Sequence, residues 1–546
     1  MPDDSLPCPP NYADPSGEYP PSRVVNTKYG PIEGRRLIHQ GPRQVDAFQG
    51  IPYAATPTGE LRFKLPQPPK SWSEVLSTKN FGFRGIQKDK STKYSIKTSE
   101  DNLTLNVFTP VWAAPEKEGF AVLVYIHGGG YVSDSAVKYG DLRLSQRLVT
   151  KDVVVVTVQY RLGFLGFWTS GDDACPDNIA LHDMTFALKW VQENILEFNG
   201  NPNNVTVMGQ SAGGASVDLL SLSPVSRDLF HKVIPMAGNA NCYWAISSNT
   251  LSSCRNLARS IEIHDEQDSE QWIEKLRKVN AETFARGIGD KIDTNKTPCS
   301  IGPIYDNVFL PKSVQELRQE APAKPCITGC ARSEGFIAMK NEGTVLERIN
   351  NVLSDLVPQK EFPRRFREIQ KDILKRLIDV DQEHTEEEWM KVYVELLGDA
   401  FMNVGVQEHV LQRVETYDAP VYFYSFDYAN PDSYGPLAPF MPFLDASHCF
   451  DIGYLFGVGI IFNFLFNDED ERVFEIMTKL FSNFVKYGNP NGGPNCSEKA
   501  LGDVEWLPAT KENPQIHLSI GPQPRLKQKY KDGRPMAYVD MRRETP

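Results

Sequence analysis

Residues 204–216 read NVTVMGQSAGGAS, and the architecture of the chain hangs on how that stretch folds. Residues 204–208 are a short β-branched run of the kind that makes a buried strand. Gly209-Gln210-Ser211-Ala212-Gly213 follows at once, and Gly214, Ala215 and Ser216 lead into a helical pattern ending near Leu222. A G-x-S-x-G between a strand and a helix makes a sharp turn that lifts the serine hydroxyl to the top of a sheet. The glycines two places to either side let neighbouring backbone pass without a Cβ clash. Ser211 is therefore the candidate nucleophile, with Ala212 N–H facing the developing oxyanion. A Gly/Ser turn without chemistry carries the same pentapeptide; the strand before and the helix after favour catalysis.

Outward from the turn, strands and helices alternate. Residues 121–126 and 153–160 are continuous apolar runs, typical of strands covered on both faces. Residues 181–198 place Leu181, Met184, Leu188, Val191, Ile195 and Phe198 on one helical face, which reads as core. Residues 101–108 alternate like a strand, residues 45–64 are a strand and a Pro/Gly-rich turn, and residues 233–237 and 420–426 are further buried strands. Residues 473–485 are an amphipathic helix and residues 516–518 a last edge strand. Residues 265–290 and 340–415 read as helical excursions around the mouth of the site. The pattern predicts an α/β fold with a mostly parallel sheet clad by helices.

The 546 residues are 40% hydrophobic and 23% charged, as in ordinary soluble proteins. A net charge of −12 argues against nucleic-acid or anionic-membrane partners. Residues 1–20 are acidic, proline-rich and without an apolar core, so they read as a disordered or draped tail rather than a signal peptide. One catalytic domain is expected over residues 21–540. The longest apolar stretch, residues 452–466, is too short to span a bilayer. Nine cysteines without paired zinc-finger spacing read as mostly free thiols. The N-x-S/T matches at Asn102, Asn204, Asn295 and Asn495 read as chance.

Ser211 requires a base, an acid to orient it, and oxyanion donors. His127-Gly128-Gly129-Gly130 follows the strand 121–126, and three glycines leave backbone N–H groups able to face a ligand. The hole is assigned to the N–H groups of Gly129, Gly130 and Ala212. Of nine histidines, His448 lies in a loop beyond the strand ending at Phe426, where a Ser–acid–His order along the chain puts the base. Glu334 follows residues 327–330 and fits the acid, although position alone leaves other carboxylates in play.

FQGIPYA, GELRFKLPQPPKSW, EDNLTLNVFTP, IHGGGY, YRLGFLGF, ALKWVQENILEFNGNPNNVTVMG, GQSAGGAS and SHCFDIGYLFG resemble motifs of the type-B carboxylesterases, the cholinesterase-like branch of the α/β-hydrolases. The matches run from about Val24 to at least Tyr487. The resemblance implies an α/β-hydrolase fold with helical excursions around an active-site gorge. It carries Ser211, Glu334 and His448 over as the triad, with no metal or cofactor. Tyr131, Trp244, Phe336 and Phe450 lie near the catalytic segments and are candidates to bind substrate, as is Tyr243; each is equally readable as core.

Departures from the family pattern refine the expectation. Gly85 and Asn102 stand where the family usually closes a loop with a disulfide; losing both halves suits a reducing compartment. Together with the missing leader, this predicts a cytoplasmic protein. Cys242 and Cys254 are expected to stay reduced. Gln210 replaces the family's usual glutamate, and the lysine-rich residues 88–99 lack the tryptophan on which cholinesterases stack a quaternary ammonium. Choline esters are thus disfavoured. Adhesion relatives such as the neuroligins lack the serine that this chain keeps.

The expected function is serine hydrolysis of neutral carboxylic esters, with a small-molecule ester as partner and a monomer or homo-oligomer as the assembly. An acyltransferase using the same acyl-enzyme, an amidase, and a catalytically silent cholinesterase-like binding protein are the alternatives.

Overall fold

The computed structural model describes residues 18–88, 97–263, 268–286, 301–340, 342–493 and 501–543. The tail expectation for residues 1–17, most of the lysine-rich segment 88–99, and Cys8, Cys299, Cys496, Asn295, Asn495 and His264 lie outside them. The strands are β1 (Pro21–Thr27), β2 (Gly30–Ile38), β3 (Val45–Pro52), β4 (Leu76–Ser77), β5 (Thr104–Pro110), β6 (Phe120–Ile126), β7 (Val153–Val158), β8 (Gly200–Gln210), β9 (Lys232–Met236), β10 (Cys326–Ala331), β11 (Val421–Phe426), β12 (His517–Ile520) and β13 (Arg525–Lys527). They form one sheet in the order β1-β2-β3-β5-β7-β6-β8-β9-β10-β11-β12-β13, with β4 beside β2. From β7 to β12 every neighbouring pair is parallel; the flanking pairs along that order are antiparallel, and β4 pairs with β2 in parallel.

Period-two alternation divides the core between the two faces. Val122, Val124 and Ile126 of β6 join one apolar cluster with Leu181, Met184, Leu188 and Val191 of the helix Ile179–Asn194. Leu123 and Tyr125 point the other way, into a cluster with Phe474, Met477, Phe481 and Phe484 of the helix Asp468–Tyr487. Both faces of β6 and β7 are buried, which explains why those strands read as unbroken apolar runs.

The parallel strands fall within a few residues of their expected positions. One expectation needs correcting: β12 is not an edge, because Leu518 pairs with Tyr424 of β11 on one side and with Leu526 of β13 on the other. The strands β1 and β2 were not anticipated. The excursion 340–415 is helical, in Val345–Leu356, Phe366–Leu377, Glu386–Gly398 and Val404–Thr416. Its last helix buries Val406 and Val410 in the core cluster that includes Cys326 and Val421, so that part clads the sheet. Among the described residues, no helix is long and apolar enough to cross a membrane.

Candidate active site

The carboxyl ends of β6, β8 and β10 lie along one edge of the sheet, where open α/β sheets bind ligands. β8 ends at Gln210, Ser211 adopts φ 60° and ψ −127°, and the helix Ala212–Leu222 begins at the next residue. A non-glycine residue at that φ is uncommon. It is held by Ser211 N–H donating to Met236 O at 2.8 Å and by Ala215 N–H donating to Ser211 O at 2.9 Å. The surrounding glycines are required for contact. A Cβ on Gly213 would lie 2.2 Å from Ile126 O, and one on Gly209 would lie 2.4 Å from the Gly213 backbone.

The loop after β6 lies directly against the serine: a Cβ on Gly128 would fall 2.4 Å from Gln210 O and 3.0 Å from Ser211 Cβ. Gly129 and Gly130 adopt φ 89° and 60°. The loop carbonyls are engaged, with Tyr160 Oη donating to His127 O at 2.8 Å and Ser133 N–H donating to Gly129 O at 3.0 Å. Ala212, as the first helical residue, presents an N–H without an acceptor inside its helix. The three N–H groups expected to form the hole thus belong to segments packed around Ser211.

Glu334 opens a short 3₁₀ turn after β10 and is fully buried. Its Oε1 accepts from Ala331 N–H at 2.8 Å, and its Oε2 accepts from His448 Nδ1 at 2.5 Å. A bridge between Ser333 and Ser447, with Ser333 N–H donating to Ala446 O at 2.8 Å, ties the two segments together. Burial works against charge on the imidazole, but the neighbouring Cys449 and Glu334 outweigh it and raise His448 well above its ordinary value. A second buried carboxylate, Asp451, accepts from Tyr424 Oη at 2.6 Å, and burial pushes it up to about 6. Among the described residues Ser211 Oγ makes no protein hydrogen bond. His448 Nε2 instead lies 3.3 Å from Gln210 Nε2, whose Oε1 accepts from the Cys449 thiol at 3.0 Å.

Tyr131 is fully buried, donating from Oη to Ala245 O at 3.0 Å. Trp244 is buried, with Nε1 donating to Phe401 O and its ring edge 3.1 Å from a Cβ placed on Gly238; that same Cβ would lie 2.2 Å from Ser211 O. Phe450 packs on Tyr434 at 5.3 Å, and the half-buried Phe336 packs on Phe443 at 4.8 Å. Tyr243 is exposed.

A family model described as "Carboxylesterase family" matches residues 21–537. The chain belongs to the carboxylesterase family. Its relatives include "Esterase cest-33" of Caenorhabditis elegans, 40% identical over 94% of this chain and 92% of that protein. "Fatty acyl-CoA hydrolase precursor, medium chain" of Anas platyrhynchos is 32% identical over 86% and 85%. "Carboxylesterase 1C" of Mus musculus is 31% identical over 86% of each. Membership of the carboxylesterase family agrees with the α/β-hydrolase sheet and makes carboxylic ester hydrolysis the activity of this chain.

The Cys449 contact and the Tyr424–Asp451 pair were missed from sequence. Adjacency to His448 was the available signal for Cys449, whereas Tyr424 reads only as one more apolar strand residue.

Proposed function

We propose that this chain hydrolyses neutral carboxylic esters through a covalent acyl-enzyme. Ser211 Oγ attacks the ester carbonyl while His448 Nε2 takes its proton, and Glu334 holds the imidazolium through Nδ1. The N–H groups of Gly129, Gly130 and Ala212 stabilise the tetrahedral oxyanion, where loss of one donor costs about 10²–10³ in turnover. His448 then returns the proton to the leaving alcohol, and water repeats the sequence to release the acid. The observation that carries this reading is the 2.5 Å bond from His448 Nδ1 to buried Glu334 at the sheet edge where Ser211 is held at φ 60°. Among the described residues Glu334 is otherwise bonded to the backbone N–H of Ala331 at the end of β10, so its second oxygen is committed to the ring.

The substrate is a small-molecule ester, with the buried Trp244 beside Ser211 closing the acyl side. A reducing compartment, the cytoplasm, is supported by the six free cysteines among the described residues and by Gly85 and Asn102 at the family's disulfide positions.

The test is labelling with a fluorophosphonate probe, wild type beside Ser211→Ala, with a panel of p-nitrophenyl esters. Labelling and turnover are expected in the wild type and absent in the variant. A folded wild type that neither labels nor turns over any ester overturns the proposal.

A further inference from the structure

The Gln210 carboxamide lies between His448 and Cys449, a juxtaposition that the reaction above leaves unused. Gln210 is 1% exposed, so its amide has no water to exchange these partners for. An amide N–H turned toward a ring nitrogen requires a lone pair there, and an imidazolium would set N–H against N–H. The 3.3 Å approach of Gln210 Nε2 to His448 Nε2 therefore fits the neutral ring with its proton on Nδ1, where Glu334 holds it. That is the form able to accept a proton from serine.

Other neighbours favour the opposite state. Glu334 on the turn after β10, Asp451 on the helix Phe450–Phe456 and Cys449 beside the ring all act on His448 in the direction of imidazolium. Burial of the ring and the Gln210 amide act against it. The amide could serve either state by rotating half a turn, since its oxygen would accept from an imidazolium Nε2–H. Cys449 biases the choice: its S–H donates to Gln210 Oε1 at 3.0 Å, which leaves the NH₂ group facing the ring, whereas the rotated amide would set its NH₂ against a sulfur that accepts only weakly.

We propose that Gln210 is a positioning residue that keeps His448 Nε2 unprotonated, with the Cys449 thiol holding its carboxamide in the required orientation. The inference rests on the proposed role of His448 as base. In the resting site the amide occupies the lone pair; when substrate enters, Ser211 Oγ–H takes its place.

The test compares wild type, Gln210→Glu, Gln210→Met and Cys449→Ala by ¹⁵N-histidine NMR titration and by the pH profile of kcat/KM. The His448 resonance is assigned by its loss in His448→Gln. In Gln210→Glu the carboxylate accepts from Nε2–H, so the His448 titration is expected to rise by about 1–3 units. The acidic limb of kcat/KM moves with it, and activity recovers at alkaline pH. Gln210→Met and Cys449→Ala shift the same way by less. A titration and limb at the wild-type position in both Gln210 variants overturn the proposal, even if turnover falls uniformly. A shifted resonance in a protein whose wild type turns over no ester supports the positioning role and overturns His448 as the base.

Discussion

Gly85 and Asn102 face one another across the loop that the family usually closes with a disulfide: a Cβ on Gly85 would lie 3.0 Å from Asn102 Nδ2. Packing and hydrogen bonds do the work of the covalent link. Asn102 is buried and donates to Tyr160 O at 2.9 Å, and Gln87 exchanges bonds with the backbone of Asp134 at 2.9 Å each way. That burial also makes Asn102 unsuitable for a glycan.

Restoring the link is the first prediction. Gly85→Cys with Asn102→Cys is expected to oxidise to a disulfide in air, read as a loss of two mass units and of two titratable thiols. The cross-link stabilises by about 2–4 kcal/mol, less about 1 kcal/mol for the lost Asn102–Tyr160 bond. A double variant whose thiols stay free in oxidising buffer shows that the two side-chain positions do not face one another as described.

Glycines in the site separate folding from catalysis. Gly213→Ala drives a Cβ to 2.2 Å from Ile126 O, a backbone atom of the central strand, so overpacking of about 1–3 kcal/mol or more is expected. A Cβ on Gly130 meets nothing within 4 Å. Gly130→Ala therefore suffers only its φ of 60°, about 1–2 kcal/mol. Relaxing that φ turns the donor away, at about 10²–10³ in kcat. Urea unfolding beside kcat distinguishes them: a Gly213→Ala variant as stable as wild type, or a Gly130→Ala variant with wild-type kcat, contradicts the geometry.

On the helix Ala212–Leu222 that follows Ser211, Asp218 is fully buried against Arg318 (3.1 and 2.9 Å) and His409 (Nδ1 at 3.2 Å). Burial alone would raise Asp218, but the Arg318 and His409 charges hold it well below the usual carboxylate range. Burial lowers His409 from 6.5 to about 4, with Asp218 opposing. The unfolded chain thus binds the His409 proton at a higher pH than the folded one, so stability falls as pH drops from about 6.5 toward 4. Asp218 contributes stability that is present above its unfolded value near 3.9 and is lost as pH falls through its native value. Urea midpoints between pH 7 and 4.5 should fall, and His409→Gln should flatten that slope. Arg318→Met strands the Asp218 charge and should cost about 3–5 kcal/mol at pH 7. A pH slope in His409→Gln identical to that of the wild type would contradict this account.

How far the chain could be read without coordinates follows from where each signal resides. The turn at Ser211 and the glycine loop at 128–130 announce themselves because local backbone geometry restricts the residue types. Strands β6 and β7 are visible because both faces are buried. By contrast, β1 shows only three buried residues among exposed ones, and β13 has three residues, none fully buried. Neither carries a pattern above that of a loop. Asp218 and Arg318 are 100 residues apart, and in sequence each resembles an ordinary surface charge. The Gln210–Cys449 contact is hidden in the same way, since 239 residues separate its partners.

The acyl side of the site supplies the last prediction. Trp244 is 5% exposed and sits beside Gly238, where an added Cβ would lie 2.2 Å from Ser211 O. Its indole is anchored by Nε1 donating to Phe401 O at 2.9 Å, so it stands as a fixed wall. Trp244→Phe keeps a ring while shortening the wall, and Trp244→Ala removes it at about 3–5 kcal/mol of stability. On p-nitrophenyl esters of increasing acyl length, both variants should shift the optimum of kcat/KM toward longer chains. Each methylene newly accommodated is worth about 10-fold or more against wild type. The Phe variant is the decisive one, because it folds with less loss. If its chain-length profile superimposes on that of the wild type, Trp244 is core beneath the site and the acyl group lies elsewhere.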